Sequence, residues 1–172
     1  MASCAVESSI DVALWFLNRA SAEDSYIQAQ KLQRLLYIAQ GVYAQENYGR
    51  KLMPATFVTH DMGPVEPNIY RIFEAGRPQI EYVPPAAEVT DFLERIWRRF
   101  GIHPVERLNG LVIGQAAYRK AVAGGMGEEI RHEAMIESFK TPEQKKQPTV
   151  RTPDGRRVTK WVPSRSAPKG PR

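Results

Sequence analysis

The chain has 172 residues, of which 42% are hydrophobic, and a formal net charge of +5. This length suits one domain with its own core and is too small for two full domains. The lone cysteine, Cys4, excludes an internal disulfide and is typical of a reducing compartment. No apolar run approaches the roughly 18 to 20 residues of a membrane helix, and no secretory signal is visible at the N-terminus. We therefore expect a cytoplasmic protein without a membrane partner.

The positive charge is concentrated at the C-terminal end of the chain. Residues 140–172 carry ten basic and two acidic side chains, a net charge of +8, which leaves −3 for residues 1–139. From residue 141 onward the composition changes to Pro, Lys, Arg, Ser and Thr with few apolar side chains, which is typical of a segment that cannot bury enough surface to order itself. The sequence predicts a helical domain over residues 1–140 and a basic flexible tail over residues 141–172.

The first predicted helix is capped by Ser8 or Ser9 and runs to about Ala20, with an apolar stripe every three or four residues. Trp15 falls on the opposite, polar face of this helix. An indole in that position is either covered by a later segment of the chain or offered to a partner.

The second predicted helix runs from about Gln28 to Gln45 and has two distinct faces. Its apolar stripe, which we assign to the core, comprises Leu32, Leu35, Leu36, Ala39 and Tyr43. Its other face carries neutral hydrogen-bonding groups where a solvated helix would carry charges. These are Gln30, Gln33, Tyr37 and Gln40. We interpret this band as a surface available to a partner.

The remaining elements follow in chain order. Residues 52–62 read as an extended connector, and Gly63-Pro64 opens a third helix that ends at Gly76. A fourth helix runs from Val89 to Gly101, and a last one runs from Glu128 to Phe139. Between them a fifth runs from Pro104 to about Val122, in which Gly110 and Gly114 mark a kink, a break or a close helix crossing. The predicted fold is mainly α, a compact bundle of about six helices with at most minor β structure, plus the basic C-terminal tail.

The tail contains a possible hairpin. Residues 149–152 and 156–162 flank the turn-forming tripeptide Pro153-Asp154-Gly155. Phosphate-neutralising cations and one stacking surface lie together here: Arg156, Arg157, Lys160 and Trp161. Such a group binds nucleic acid in some proteins and acidic protein surfaces in others.

The sequence offers little for catalysis. The usual nucleophile, base and metal-ligand candidates are Cys4, His60, His103 and His132, and no two of them stand at a metal-ligand spacing. No nucleophile, phosphate-binding or dinucleotide-binding motif is present. His60-Asp61 is better explained by hydrogen bonding within a loop than by chemistry. We predict a protein that is not an enzyme, with no catalytic residue, no cofactor and no metal site.

Four segments of the chain, in order and spacing, resemble a known family. They are Val12-Ala-x-x-Phe16-Leu17, Lys31-Leu-Gln-Arg-Leu-Leu-Tyr-Ile-Ala-Gln-Gly41, Gly49-Arg-x-Leu52 and Gly63-Pro-Val-Glu-Pro-x-Ile-Tyr70. Over residues 8 to about 140 the chain is similar to the SocA-like antitoxin family, also called the Panacea domain, which occurs in phage-associated proteins.

The resemblance implies that the chain is the family's namesake antitoxin or a near relative of it. It further implies a bacterial or phage antitoxin that neutralises a cognate protein toxin by direct binding, as a proteolytic adaptor that delivers the toxin to the ClpXP protease. One alternative is a nucleic-acid-binding transcriptional regulator that uses the basic tail. In another, the tail engages the protease while the helical body engages the toxin. The candidate partner-binding residues are Trp15, Gln33, Tyr37, Tyr70, Arg156, Arg157, Lys160 and Trp161.

Overall fold

A computed structural model of the protein describes residues 3–145, 149–151 and 157–159. The chain divides into two units, residues 1–139 and 140–172. The described part of the first unit contains seven α-helices: α1 Ser9–Ser21, α2 Ala29–Glu46, α3 Pro67–Phe73, α4 Ala87–Ile96, α5 Val105–Ile113, α6 Ala116–Ala123 and α7 His132–Phe139. A π-helical turn, Trp97–Gly101, continues α4. The predicted fold class, mainly α with minor β structure, is confirmed.

The second helix, α2, lies at the centre of the first unit. Every residue from 32 to 40 is buried, and α2 contacts α1, α3, α4, α5 and α7. The predicted apolar stripe therefore packs in the core. Because neighbours surround this helix, its polar groups must also find partners inside the protein. This burial of the polar face determines the geometry of the site described below.

The start of the third helix was predicted wrongly. Helix α3 begins at Pro67, not at Gly63-Pro64, and its cap is the side chain of Glu66, whose Oε2 accepts a hydrogen bond from the Ile69 N–H at 2.7 Å. Proline still lies in the first turn, where a missing N–H costs nothing. Val65 is instead extended, because its N–H donates to the Val58 carbonyl at 3.0 Å and its carbonyl accepts the Val58 N–H at 2.9 Å.

The connector is extended, as predicted, and it is paired on both sides. Val58 forms antiparallel bridges with Val65 and with Glu129. The Ile130 N–H donates to the Phe57 carbonyl at 2.8 Å. The last helix therefore starts at His132 and not at Glu128, because residues 128–130 are held extended against the connector.

Other boundaries follow local signals in the sequence. The Ser8 hydroxyl caps α1 by accepting from the Ile10 N–H at 3.1 Å. The helix predicted from Pro104 to Val122 is two helices, α5 and α6, separated after Ile113 at Gly114. Glycine is the poorest non-proline helix former, so a break at this residue is expected.

The described part of the second unit contains a short helix, α8 Pro142–Lys145, and two strands, β1 Thr149–Arg151 and β2 Arg157–Thr159. The strands pair antiparallel, with Thr149 opposite Thr159. This is the pairing that the predicted hairpin requires. The predicted turn itself lies outside the described residues.

Candidate partner-binding site

A cleft of about 580 Å³ opens beside α3. One wall is the connector and the turn that follows it, a second is α3, and a third is the glycine-rich loop before α7. The lining residues are Val58, Thr59, His60, Asp61, Val65, Pro67, Tyr70, Arg71, Glu74, Met126 and Gly127. Its rim is exposed, with Met126 at 62% exposure. The cleft therefore combines an apolar surface with charges of both signs.

A four-residue turn, His60–Gly63, forms the edge of this cleft. The Gly63 N–H donates to the His60 carbonyl at 2.8 Å, which closes the turn, and Gly63 has φ +101°. Glycine suits the last position of such a turn because it adopts positive φ without steric cost. The hydroxyl of Tyr118 donates to the same His60 carbonyl at 3.1 Å. Asp61 is left at the exposed tip of the turn.

Helix α2 holds this turn and the start of α3 from behind. The Gln30 side chain donates to the Met62 carbonyl at 3.1 Å, and the Gln33 side chain accepts from the Glu66 N–H at 2.8 Å. A third glutamine, Gln40, acts in the same way about two turns further on, since its Oε1 accepts from the N–H groups of Leu52 and Met53. The neutral band of α2 therefore positions two loops of this protein rather than facing a partner.

Arg34 is the most unusual side chain on α2, because its guanidinium is fully buried. Nε donates to Asn109 Oδ1 at 2.7 Å, and Nη1 donates to the Pro64 carbonyl at 2.6 Å. Nη2 has no hydrogen-bond partner. Burial lowers the pKa of Arg34 to about 10, an effect that nearby Tyr118 partly offsets. A buried cation with an unused donor is costly in a folded protein.

Tyr70 lies between two cavities. Its ring contacts His60, with centroids 5.4 Å apart, on the side of the larger cleft. On the other side of α3 is a smaller cavity of about 160 Å³, lined by Ala29, Leu32, Gln33, Met62, Ile69, Tyr70, Phe73 and Glu74. Tyr70 is partly exposed, so a molecule bound in either cavity would touch it.

Three of the predicted partner-binding residues lie in the interior, so their predicted surface position is wrong. Trp15 is 7% exposed, Gln33 2% and Tyr37 0%. Trp15 packs edge to face on Phe16. Neighbouring elements cover α1. One of them is the linker before α4, where the Val83 N–H lies 3.4 Å from the Asp11 carboxylate. Of the two alternatives for Trp15, the structure thus shows the covered one.

Tyr37 is buried because α7 and the connector both pack on the polar face of α2. Its ring lies between Phe57 and Phe139, with centroids 5.3 Å and 5.9 Å away, and its hydroxyl donates to Gln115 Oε1 at 3.3 Å. Burial raises the pKa of Tyr37 well above its ordinary value. Amphipathic periodicity alone cannot reveal that a second element covers the polar face.

The described part of the chain does not place the predicted tail residues in a site. Arg157 begins β2. Arg156, Lys160 and Trp161 lie outside the described residues.

Sequence reasoning overlooked Arg34, although a signal was present. It is a charged residue in the neutral band of α2, and this helix contains no acidic residue before Glu46. Because no carboxylate on its own helix can pair with it, such a cation is expected to donate to backbone carbonyls of another segment. A glycine-containing loop such as Gly63-Pro64 lets a guanidinium approach its backbone closely.

The described residues also bear on membrane and metal sites. Within residues 3–145, 149–151 and 157–159, no helix is long and apolar enough to cross a membrane. In the same described ranges, no group of three or more His, Cys, Asp or Glu side chains is arranged to hold a metal ion.

The fold and the site together define a small helical domain with a preformed cleft that a buried arginine and two glutamines hold in place. No family model matches the chain, and no solved structure matches it. Among curated proteins it is similar to antitoxin SocA of Caulobacter vibrioides (strain NA1000 / CB15N), with 40% identity over 68 residues. These residues are 40% of this chain and 36% of that antitoxin, so the match spans about a third of the relative's length.

Proposed function

We propose that this protein is the antitoxin of a bacterial toxin–antitoxin system and that it neutralises its toxin by direct binding in the cytoplasm, without catalysis. The observation that carries the proposal is the 40% identity with antitoxin SocA. A relative that shares two residues in five over 68 positions supports a shared type of activity. We extend the assignment to the SocA-like family, or Panacea domain, on the four sequence segments described above.

The cleft beside α3 is our candidate for the toxin-binding surface. It is the larger of the two cavities that meet at Tyr70, and its exposed rim includes Met126, an adaptable apolar side chain that is common at binding surfaces. The turn at its edge is held by hydrogen bonds from Gln30 and Tyr118, and the next residue, Pro64, is held by Arg34. A surface ordered before binding loses less entropy when the partner arrives.

We further propose that the protein acts as a proteolytic adaptor, which holds the toxin on the helical body and delivers it to the ClpXP protease. The resemblance to the SocA-like family supports this mechanism. The charge distribution is consistent with two separate binding regions, because residues 1–139 carry a net charge of −3 and residues 140–172 a net charge of +8. In this scheme the basic tail contacts the protease and the body contacts the toxin.

The test is co-expression with the protein encoded by the neighbouring gene. We expect rescue of growth and co-elution of the two purified proteins. Tyr70→Ala should weaken co-elution, whereas Tyr26→Ala should not, because Tyr26 is an 83% exposed tyrosine before α2, outside the cleft lining. Failure of the wild-type pair to co-elute would contradict direct neutralisation. Equal co-elution of both variants would exclude Tyr70 from the interface.

A second candidate function, nucleic-acid-binding regulation, is favoured by one observation, the charge of +8 on residues 140–172 together with Trp161. Deletion of residues 141–172 separates the candidates. A regulator loses duplex binding, and the intact protein shows an affinity that falls steeply with salt concentration. An adaptor loses toxin degradation in the presence of ClpXP while its toxin binding is retained.

A further inference from the structure

We propose that the smaller cavity beside α3 binds a tyrosine side chain of the protein partner, with the Gln33 amide donating a hydrogen bond to the phenolic oxygen. This inference rests on the proposed function, because it names the group by which the toxin is held. It depends on three properties of the cavity: its volume, its apolar lining and a nitrogen of Gln33 that has no acceptor.

The cavity has the volume and the lining of a site for one aromatic ring. Its volume is about 160 Å³, and the buried side chains of Leu32, Ile69 and Phe73 line it. An apolar cavity of about 150 Å³ lined by leucine, isoleucine and phenylalanine binds benzene. A ring of this size therefore fits here, and its binding removes apolar surface of both partners from water.

One buried polar side chain lines the cavity, that of Gln33. Its Oε1 accepts from the Glu66 N–H at 2.8 Å, which fixes the orientation of the amide and makes Nε2 the donor. Nε2 donates to no group in the described part of the chain. Buried donors in native proteins are nearly always paired, so a ligand that brings an acceptor to Nε2 is stabilised.

The cavity gives access to this nitrogen without any movement of the backbone. Among the residues that the structure describes, the one fully enclosed side-chain nitrogen or oxygen without a partner is Arg34 Nη2. Nε2 of Gln33 also lacks a partner, so it keeps contact with solvent. Of the two cavities beside α3, Gln33 lines the smaller one and not the larger. A side chain therefore reaches Gln33 by entering the smaller cavity, although Gln33 itself does not lie on the surface.

The smaller cavity and the cleft share lining residues. Tyr70 and Glu74 line both of them, and Glu74 is exposed. Ala29, at the start of α2, is a second exposed residue of the smaller cavity. A partner that covers α3 at Tyr70 and Glu74 thus contacts both spaces, and one side chain inserted into the smaller cavity acts as its buried anchor.

Tyrosine fits this cavity better than other large side chains do. Phenylalanine, leucine and methionine fill the space but exclude water from Nε2 without supplying a strong acceptor, and tryptophan carries only a donor. The phenolic oxygen lies at the far end of the ring, so it reaches a buried amide while the ring contacts the apolar wall. The amide can also accept through the second lone pair of Oε1, so it pairs with a hydroxyl in either sense.

The first experiment uses the isolated full-length protein with p-cresol, the side-chain analogue of tyrosine, and toluene, the analogue of phenylalanine. The methyl resonances of Leu32 and Ile69 are followed by NMR during each titration, and we expect saturable shifts with p-cresol. Gln33→Met keeps the length of the side chain and removes the donor. It should weaken p-cresol binding by at least about tenfold and toluene binding by less than about threefold. Absence of p-cresol shifts in the wild-type protein, or equal weakening of both ligands, overturns the inference.

A second variant, Ala29→Leu, tests the cavity without changing the amide. Ala29 is the first residue of α2, and a leucine there occupies the cavity that Ala29 lines, so binding of both ligands should be lost. Ala87→Leu is the matched control, because Ala87 is the exposed first residue of α4 and lines neither cavity. Circular dichroism and melting temperature establish that each variant is folded. Unchanged p-cresol binding by folded Ala29→Leu would contradict binding in this cavity.

The second experiment uses the toxin. Ala29→Leu should weaken toxin binding by at least about 30-fold, as expected for loss of a buried anchor, while Ala87→Leu leaves it unchanged. A toxin in which the anchoring tyrosine is changed to phenylalanine should bind the wild-type protein about tenfold more weakly and bind Gln33→Met as the unchanged toxin does. If no surface tyrosine of the toxin behaves in this way, the tyrosine anchor is wrong.

The outcomes separate the two proposals. If the toxin binds wild-type and Ala29→Leu equally, the tyrosine site is wrong and the antitoxin function stands. If no toxin binds the wild-type protein but p-cresol binds in the manner described, the antitoxin function fails and the tyrosine-binding chemistry of the cavity is supported.

Discussion

Arg34 on α2 and Gly63 in the turn before α3 pack directly against each other. The guanidinium of Arg34 lies against the Gly63 backbone, in space that any side chain at 63 would occupy, and Nη1 donates to the next carbonyl, that of Pro64, at 2.6 Å. A helix residue thus positions a turn about thirty residues away. The fit requires glycine for two separate reasons, its positive φ and the space beside Nη2.

The two reasons can be separated by paired substitutions. Gly63→Ala should lower the free energy of unfolding by about 2–4 kcal/mol, because overpacking at Arg34 adds to backbone strain. Gly76→Ala, at nearly the same φ of +102° but with nothing within 4 Å of the added Cβ, should cost about 1 kcal/mol from strain alone. Chemical denaturation measures both. Equal losses would show that Arg34 does not constrain residue 63.

A double-mutant cycle adds a second measure of the same contact. The methionine of Arg34→Met is flexible and can move away from an added Cβ. In that background Gly63→Ala should lower the free energy of unfolding by less than in the wild-type protein, with a coupling energy of about 1 kcal/mol. Simple additivity of the two free-energy changes would contradict the contact.

The packing of α2 on α7 depends on another glycine, Gly41. An added Cβ there would overlap the ring of Phe139. Gly41→Ala should therefore destabilise the protein by about 1–3 kcal/mol in spite of the better helix propensity of alanine. The matched control is Gly110→Ala on α5, where nothing lies within 4 Å, and this change should stabilise by about 0.5–1 kcal/mol. Thermal unfolding of both variants is the measurement, and stabilisation by Gly41→Ala would refute the close approach.

Burial of Tyr37 should make stability depend on alkaline pH. Its folded-state pKa is raised by burial above the ordinary value of 10, so above pH 10 the unfolded chain loses this proton and the folded protein retains it. Stability therefore falls as pH rises, with a slope for this group of up to about 1.4 kcal/mol per pH unit.

Tyr37→Phe should remove that part of the slope, at a cost of about 1 kcal/mol at neutral pH from loss of the Gln115 hydrogen bond. Tyr48→Phe, at a fully exposed side chain, is the control. The measurement is the free energy of unfolding by urea between pH 8 and about pH 11. If this free energy changes with pH in the same way in wild-type and Tyr37→Phe, Tyr37 ionises in the folded protein.

The ion pair between α1 and α4 should contribute at neutral pH and be lost in acid. Arg19 contacts both carboxylate oxygens of Glu94, at 2.7 Å and 3.0 Å, and its hydrogen bond holds the pKa of Glu94 below the ordinary value. A depressed folded-state pKa means that this stabilisation is present above the unfolded pKa near 4.5 and disappears as pH falls through the folded value.

Glu94→Gln should thus cost about 1 kcal/mol at pH 7 and much less at pH 3. Glu46→Gln serves as the control, since it breaks a more exposed pair with Arg95 and should cost no more than about 0.5 kcal/mol. A Glu94→Gln effect that is the same at both pH values would show that the pair contributes nothing electrostatic.

Helix α2 illustrates how far a sequence can be read. Leu32, Leu35 and Leu36 repeat at helical spacing, and the structure buries them as predicted. Gln33 and Tyr37 lie on the same helix, and periodicity correctly placed them on its polar face. It gave no information about what covers that face, because the covering elements are distant in the sequence. They are α7, the connector and the residues that follow Met62.

By itself the sequence determined the helical class, most helix boundaries and the burial of the α2 stripe, because these depend on local propensity, capping and periodicity. It also determined the order and spacing of the four segments that resemble the SocA-like family. Only the tertiary structure decided that α2 is buried on both faces, that its glutamines hold two loops, and that Arg34 is an uncompensated cation beside Gly63. Those properties depend on which distant backbone carbonyls and side chains meet, and burial turns the same polar residues from surface groups into internal ones.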